Sequence, residues 1–101
     1  MEKAINVMND HIGDPAFNVE TFSQEMLTSR MTLYRKITNI TGQSPNEFIT
    51  TIRLKHAAQL LKETSASVAV ISEQCGFSSP SYFSKNFKKM FGKLPKEYRM
   101  R

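Results

Sequence analysis

The stretch Ser29-Arg30-Met31-Thr32-Leu33-Tyr34-Arg35-Lys36-Ile37-Thr38-Asn39-Ile40-Thr41-Gly42-Gln43-Ser44-Pro45 has a counterpart further along the chain: Ser78-Ser79-Pro80-Ser81-Tyr82-Phe83-Ser84-Lys85-Asn86-Phe87-Lys88-Lys89-Met90-Phe91-Gly92-Lys93-Leu94-Pro95. Both end in Gly-x-x-Pro and keep the same rhythm of large apolar residues. Val19 pairs with Val68, Phe22 with Ile71, Ser23 with Ser72, Met26 with Cys75 and Ser29 with Ser78. One extra residue then enters the second copy. Beyond it Leu33 pairs with Phe83, Arg35 with Lys85, Ile37 with Phe87, Gly42 with Gly92, Pro45 with Pro95, Glu47 with Glu97 and Phe48 with Tyr98. The chain therefore holds two copies of one unit: a short helix, a tight turn and a second helix.

The flanking residues supply the punctuation. Residues 2–12 read as an amphipathic helix with Ile5, Met8 and Ile12 on one stripe and Gly13 at its end, and Asp14-Pro15 breaks the chain. Asn18 is placed to cap a second helix carrying Val19, Phe22, Ser23 and Met26 and ending near Leu27. The third starts at Thr28 or Ser29 and buries Leu33, Ile37 and Ile40, which fall within about 60° of one another, before Gly42 stops it. Ser44-Pro45-Asn46-Glu47 is a capping-box arrangement that opens a long helix to about Lys62.

In that long helix Phe48, Ile49 and Ile52 share one side, whereas Leu54, Ala57, Ala58 and Leu61 lie half a turn round, so it is expected to serve two cores, one at each end. After the polar break Thr64-Ser65-Ala66-Ser67, a helix over Val68–Cys75 ends at Gly76. Ser79-Pro80 opens the next, with Phe83, Phe87 and Met90 as its buried stripe, and Pro95–Arg99 forms a short last helix. No segment alternates as a strand would. The expected fold is all-α: two helix-turn-helix subunits, residues 1–44 and 64–101, joined by a linker helix over 45–63, with about seven helices in all.

A chain of 101 residues, 40% apolar, can bury a compact core. Lacking a long apolar run, it is expected to be cytoplasmic and to make no membrane contact. Cys75 has no partner for a disulfide and reads as a core residue. His11 and His56 lack ligand partners at metal spacing, and no cofactor is implied. An enzyme would need paired carboxylates, a His-centred triad, a phosphate loop or a metal cluster, none of which the sequence offers.

The net charge of +5 is unevenly spread. Residues 1–25 set Lys3 against Glu2, Asp10, Asp14, Glu20 and Glu25, whereas after Ser84 only Glu97 opposes Lys85, Lys88, Lys89, Lys93, Lys96, Arg99 and Arg101. A basic surface of this kind suits a polyanion. Helix-turn-helix units place their second helix in the DNA major groove, so its outer face is the one to inspect. In the first copy that face holds Met31, Arg35, Thr38 and Asn39, flanked by Arg30, Tyr34 and Lys36; in the second it holds Ser81, Lys85, Lys88 and Lys89, flanked by Ser84 and Asn86. Neither face has a carboxylate.

Arginine can make paired hydrogen bonds to guanine, Met and Tyr suit thymine methyls, and serine can bond bases or phosphates. Base reading is therefore expected of Met31, Tyr34, Arg35, Ser81, Ser84 and Lys85. Phosphate contact is expected of Arg30, Lys36, Lys88 and Lys89, where a point charge suffices. A linker of about 18 residues makes a rod of about 27 Å, which could set the two readers about one DNA turn apart. The competing reading is a helical interaction module whose basic face meets an acidic protein partner.

The run Arg53-Leu54, Ala57, Leu60-Leu61, Gly76-Phe77, Ser81-Tyr82-Phe83-Ser84-Lys85, Phe87-Lys88, Phe91-Gly92, Pro95 and Tyr98-Arg99 resembles the DNA-binding domain of AraC/XylS-type transcription regulators. The resemblance implies double-stranded DNA as partner, RNA polymerase as a candidate second partner, and Ser29–Thr41 and Ser79–Phe91 as the recognition helices. The sequence from Ser29 to Lys36 with Gly42–Pro45 looks most like the C-terminal output domain of hybrid two-component sensors of Bacteroides-type bacteria. A receiver or sensor domain is then expected upstream, outside this chain. Four positions depart from the family pattern. Ser23 and Ser72 replace a small Ala and could return a hydroxyl bond to the preceding turn. Leu27 stands where the first turn often has Gly, and Leu94 replaces a capping Ser, so the last helix should fray.

Overall fold

A computed structural model describes residues 1–100. Among them run seven helices: α1 (Glu2–Asp10), α2 (Val19–Glu25), α3 (Arg30–Thr41), α4 (Pro45–Glu63), α5 (Val68–Gln74), α6 (Pro80–Phe91) and α7 (Pro95–Arg99), with no strand among the described residues. The helix starts follow the sequence punctuation closely. Asn18 Oδ1 accepts from Thr21 N at 2.9 Å, Ser29 Oγ from Thr32 N at 3.1 Å, Ser67 Oγ from Val70 N at 3.1 Å and Ser79 Oγ from Tyr82 N at 3.2 Å. Each bond satisfies an amide that the helix itself leaves unpaired. At α4 the capping box is complete: Glu47 N donates to Ser44 Oγ at 3.2 Å and Ser44 N donates to Glu47 Oε1 at 2.9 Å.

The two copies superimpose at the level of individual bonds. After α2, Leu27 N donates to Gln24 O and Thr28 N to Ser23 O; after α5, Gly76 N donates to Glu73 O and Phe77 N to Ser72 O. Both turns are thus Schellman closures in one register, with Leu27 and Gly76 as the left-handed residues. Ser23 Oγ does bond back, to Glu20 O at 2.7 Å.

Two separate apolar clusters fill the interior. The first joins Ala4, Val7, Met8, Phe17, Phe22, Leu33 and Ile37 to Phe48 and Ile49 of α4, with Ile52 packed on its edge. The second joins Ile71, Cys75, Phe77, Phe83 and Phe87 to Leu54, Ala57, Ala58 and Leu61. The half-turn shift of the apolar stripe in α4 therefore does divide the helix between two cores. Phe22 stacks toward Phe48 in the first, while Phe77, Phe83, Phe87, Phe91 and Tyr98 form a chain of neighbouring rings in the second. The molecule is elongated, 41 × 23 × 22 Å.

Four expectations are corrected. Ile40, placed in the buried stripe of α3, is 61% exposed, because α3 outruns the surfaces that cover Leu33 and Ile37. Met90 is exposed in α6 for the same reason. In α1 the buried face is Ala4, Val7 and Met8, whereas Ile5 is exposed; the helix stops at Asp10, and Ile12 lies in the following turn. Leu94 gives no side-chain cap, yet α7 forms, since Glu97 Oε1 accepts from Leu94 N at 2.9 Å. Arg99 holds its other end, donating through Nε to Leu61 O at 3.2 Å and through Nη2 to Thr64 O at 3.3 Å.

Candidate nucleic-acid interface

α3 and α6 each have twelve residues, each is capped by serine at its start, and each ends on a left-handed glycine, Gly42 or Gly92. What fixes their rotation is burial. Leu33 and Ile37 turn one side of α3 into the first core, and Phe83 and Phe87 do the same for α6. The opposite side is then presented to solvent by geometry alone, at about 100° per residue.

Of the residues expected to read bases, Met31 is 72% and Tyr34 53% exposed. Arg35, Ser81 and Lys85 are exposed, and Ser84 is half-buried at the rim. Met31 and Tyr34 thus present apolar surface to solvent on the outward side of α3. Arg35 and Lys85 occupy matching positions of their helices and carry no ion pair with any acidic side chain among the described residues.

The expected phosphate residues divide. Arg30 and Lys88 are both exposed, Arg30 in the first turn of α3 on the side that Leu33 and Ile37 continue, and Lys88 on the outward side of α6. Lys36 stands beside a small cleft between α1 and α3, lined also by Met1, Ala4, Met26 and Ile40. Lys89 looks into an open groove between the two units, where Thr51 and Lys55 of α4 face Tyr82 and Asn86 of α6. It lies near Glu47, whose carboxyl is held below its ordinary value by bonds with Ser44 N and the Ser44 side chain and, in smaller measure, by the charge of Lys89. Thr38, expected on the outer face of α3, and Asn86, expected beside that of α6, are occupied internally: Thr38 Oγ1 donates to Gln43 O at 3.3 Å and Asn86 Nδ2 to Tyr82 O at 2.9 Å.

Residue-by-residue reading of the sequence did not single out Arg53 as a structural element. Its Nη2 donates to Asp14 O at 3.0 Å and Phe17 O at 3.2 Å. Burial lowers its pKa, against the opposing pull of Asp14. Its partners are backbone carbonyls more than thirty residues away, for which no residue type leaves a signal.

Comparison with known proteins agrees with this geometry. A model of the helix-turn-helix domain family matches residues 22–101. Over all 101 residues the chain is 46% identical to histidine kinase P4 of Formosa agariphila, of whose length it spans 7%; it spans 29–33% of the transcription activators it also matches. A transcriptional regulator of Chromobacterium violaceum with an AraC-type DNA-binding domain superimposes with a TM-score of 0.90 at 31% identity, covering 98% of this chain and 88% of that one. The DNA-binding domain of AdpA, solved in complex with a target DNA, gives a TM-score of 0.89 at 29% identity, covering 98% and 88%. The fold is shared with these AraC-type structures, and the chain belongs to the AraC-type family of helix-turn-helix DNA-binding domains of transcription regulators.

Proposed function

We propose that the two units, residues 1–44 and 64–101 on the linker 45–63, place α3 and α6 in successive major grooves of one duplex. Met31, Tyr34 and Arg35 read bases in one groove, and Ser81, Ser84 and Lys85 read them in the next. Arg30 and Lys88, with Lys36 and Lys89 at the flanks, hold phosphates. The observation that carries this reading is the pair of matched, carboxylate-free faces on α3 and α6, each rotated outward by its own core. Guanidinium and amine donors, a phenol and a thioether are the groups that major-groove edges can accept. Because the copies differ in sequence, the site is asymmetric.

The 46% identity with a segment of a histidine kinase supports a role as the output domain of a larger signalling regulator, in which a domain upstream governs access to DNA. RNA polymerase is the second partner this role would need.

Selection of bound duplexes from a random pool tests the reading. Two different half-sites about one helical turn apart are the expected result. A single half-site, or enrichment without sequence preference, would replace it with one-groove or backbone-only binding.

A further inference from the structure

The two units meet on one flank of α4 and stand apart on the other. At about 100° per residue, Arg53 falls about midway between the α4 face that enters the first core and the face that enters the second. Lys55 falls on the opposite flank. On the Lys55 side lies the open groove, of about 710 Å³, between α4 and α6. On the Arg53 side the space is closed by backbone. The loop after α1 and the turn after α5 approach so closely that a Cβ on Gly76 would lie 2.7 Å from Ile12 O and 2.9 Å from Arg53 Nε. A Cβ on Gly13 would lie 3.1 Å from Gln74 O. Arg53 Nη2 bonds the same loop from within, at Asp14 O and Phe17 O, and its Nε is buried without a partner.

This seam is polar, and the two apolar clusters share no residue across it. Burying a guanidinium with an unsatisfied Nε is an expensive way to gain stability. Its geometric effect is plain: a planar fork in contact with the first unit's loop, pressed against the second unit's turn, removes rocking of the units about α4.

Building on the proposed two-groove reading, we propose that Arg53 is a positioning residue that fixes the phase between α3 and α6 and so sets the half-site spacing the protein accepts. Moving a half-site by one base pair displaces it by about 3.4 Å and rotates it by about 35°. A locked seam cannot follow that movement, and a loosened one follows part of it.

The test compares the 101-residue protein with Arg53→Lys, Arg53→Met and Gly13→Ala on four duplexes: the selected site, the same site with one base pair inserted or deleted between half-sites, and an isolated half-site. Gly13→Ala adds a Cβ against Gln74 O without requiring a left-handed backbone, so it wedges the seam while leaving both cores untouched. Thermal melting confirms that each variant is folded. In the unsubstituted protein, the altered spacings should weaken binding by at least about tenfold. In the variants that penalty should shrink severalfold, with half-site affinity within about twofold of the original. An unchanged spacing penalty in all three variants overturns the role of the seam, as does a loss that is equal on half-sites and full sites. Absence of any penalty in the unsubstituted protein overturns the two-groove reading and the seam with it.

Discussion

Leu27 and Gly76 occupy the same place in the two turns, and the difference between them is explained by what surrounds each. Leu27 has φ 55 and is 86% exposed, so its side chain meets only the strain of the left-handed backbone. Gly76, at φ 86, is hemmed in by Ile12 O and Arg53, where a side chain has no space. Leu27→Gly should therefore stabilise the protein by about 0.5–1 kcal/mol, the relief of strain outweighing the added freedom of the unfolded chain; urea denaturation would show it, and a lower midpoint would contradict it. Cys75 gives a prediction in pH. Burial raises its thiol from 9.0 to about 11, with Arg53 pulling the other way. The folded state keeps a proton that the unfolded state loses, so this contribution is fully present below about pH 9 and disappears as pH rises through about 11, on the order of 2 kcal/mol in all. The urea midpoint should fall across that window, and Cys75→Ala should fall less. On the outward face of α3, if Arg35 reads a base as proposed, Arg35→Ala should cost about 1–3 kcal/mol and relax preference at one base position, as measured by anisotropy on singly substituted duplexes; a uniform loss on all of them would make Arg35 a phosphate clamp.

Among the elements, α4 carries the most information, since its N-terminal turn faces one core and its later turns the other. Its start is secured by the Ser44–Glu47 box, in which Glu47 is held ionised below its ordinary pKa by the Ser44 amide first. Ser44→Ala should cost about 1 kcal/mol by thermal denaturation, and no change would mean that packing of Pro45 and Phe48 alone holds the turn. The capping signals of α2 to α6 and the divided stripe of α4 were legible in the sequence because each is decided by residues within one or two turns. Ile40, Met90 and Ile5 were not, since periodicity gives the phase of an apolar face but not how far the opposing surface extends beneath it. Arg99 shows the same limit: in the sequence it is one more basic residue near the C-terminus, and in the fold it ties α7 to the carbonyls of Leu61 and Thr64.

For the whole molecule, the charge asymmetry seen along the sequence becomes a spatial one, because residues 1–25 lie in one unit and the Lys-rich residues after Ser84 in the other. The second unit is therefore the more basic of the two. With Arg30, Lys36, Lys88 and Lys89 on phosphates, log affinity against log salt should fall with a slope of about −3.6, and Lys88→Ala should reduce it by about 1 while weakening all duplexes alike. A shallow slope that Lys88→Ala leaves unchanged would take Lys88 off the phosphate backbone.

By itself the sequence determined the repeat, the helix boundaries to within a residue or two, the two-core division of α4 and the outward faces of α3 and α6, all of which follow from local periodicity and capping chemistry. Only the tertiary structure decided how one unit sits against the other. That arrangement rests on Arg53 and on the close approach of the loop at Ile12–Gly13 to the turn at Gln74–Gly76. These are contacts between backbones far apart in the chain. Carbonyl oxygens are common to every residue, so their meeting is fixed by packing and leaves no pattern in the sequence.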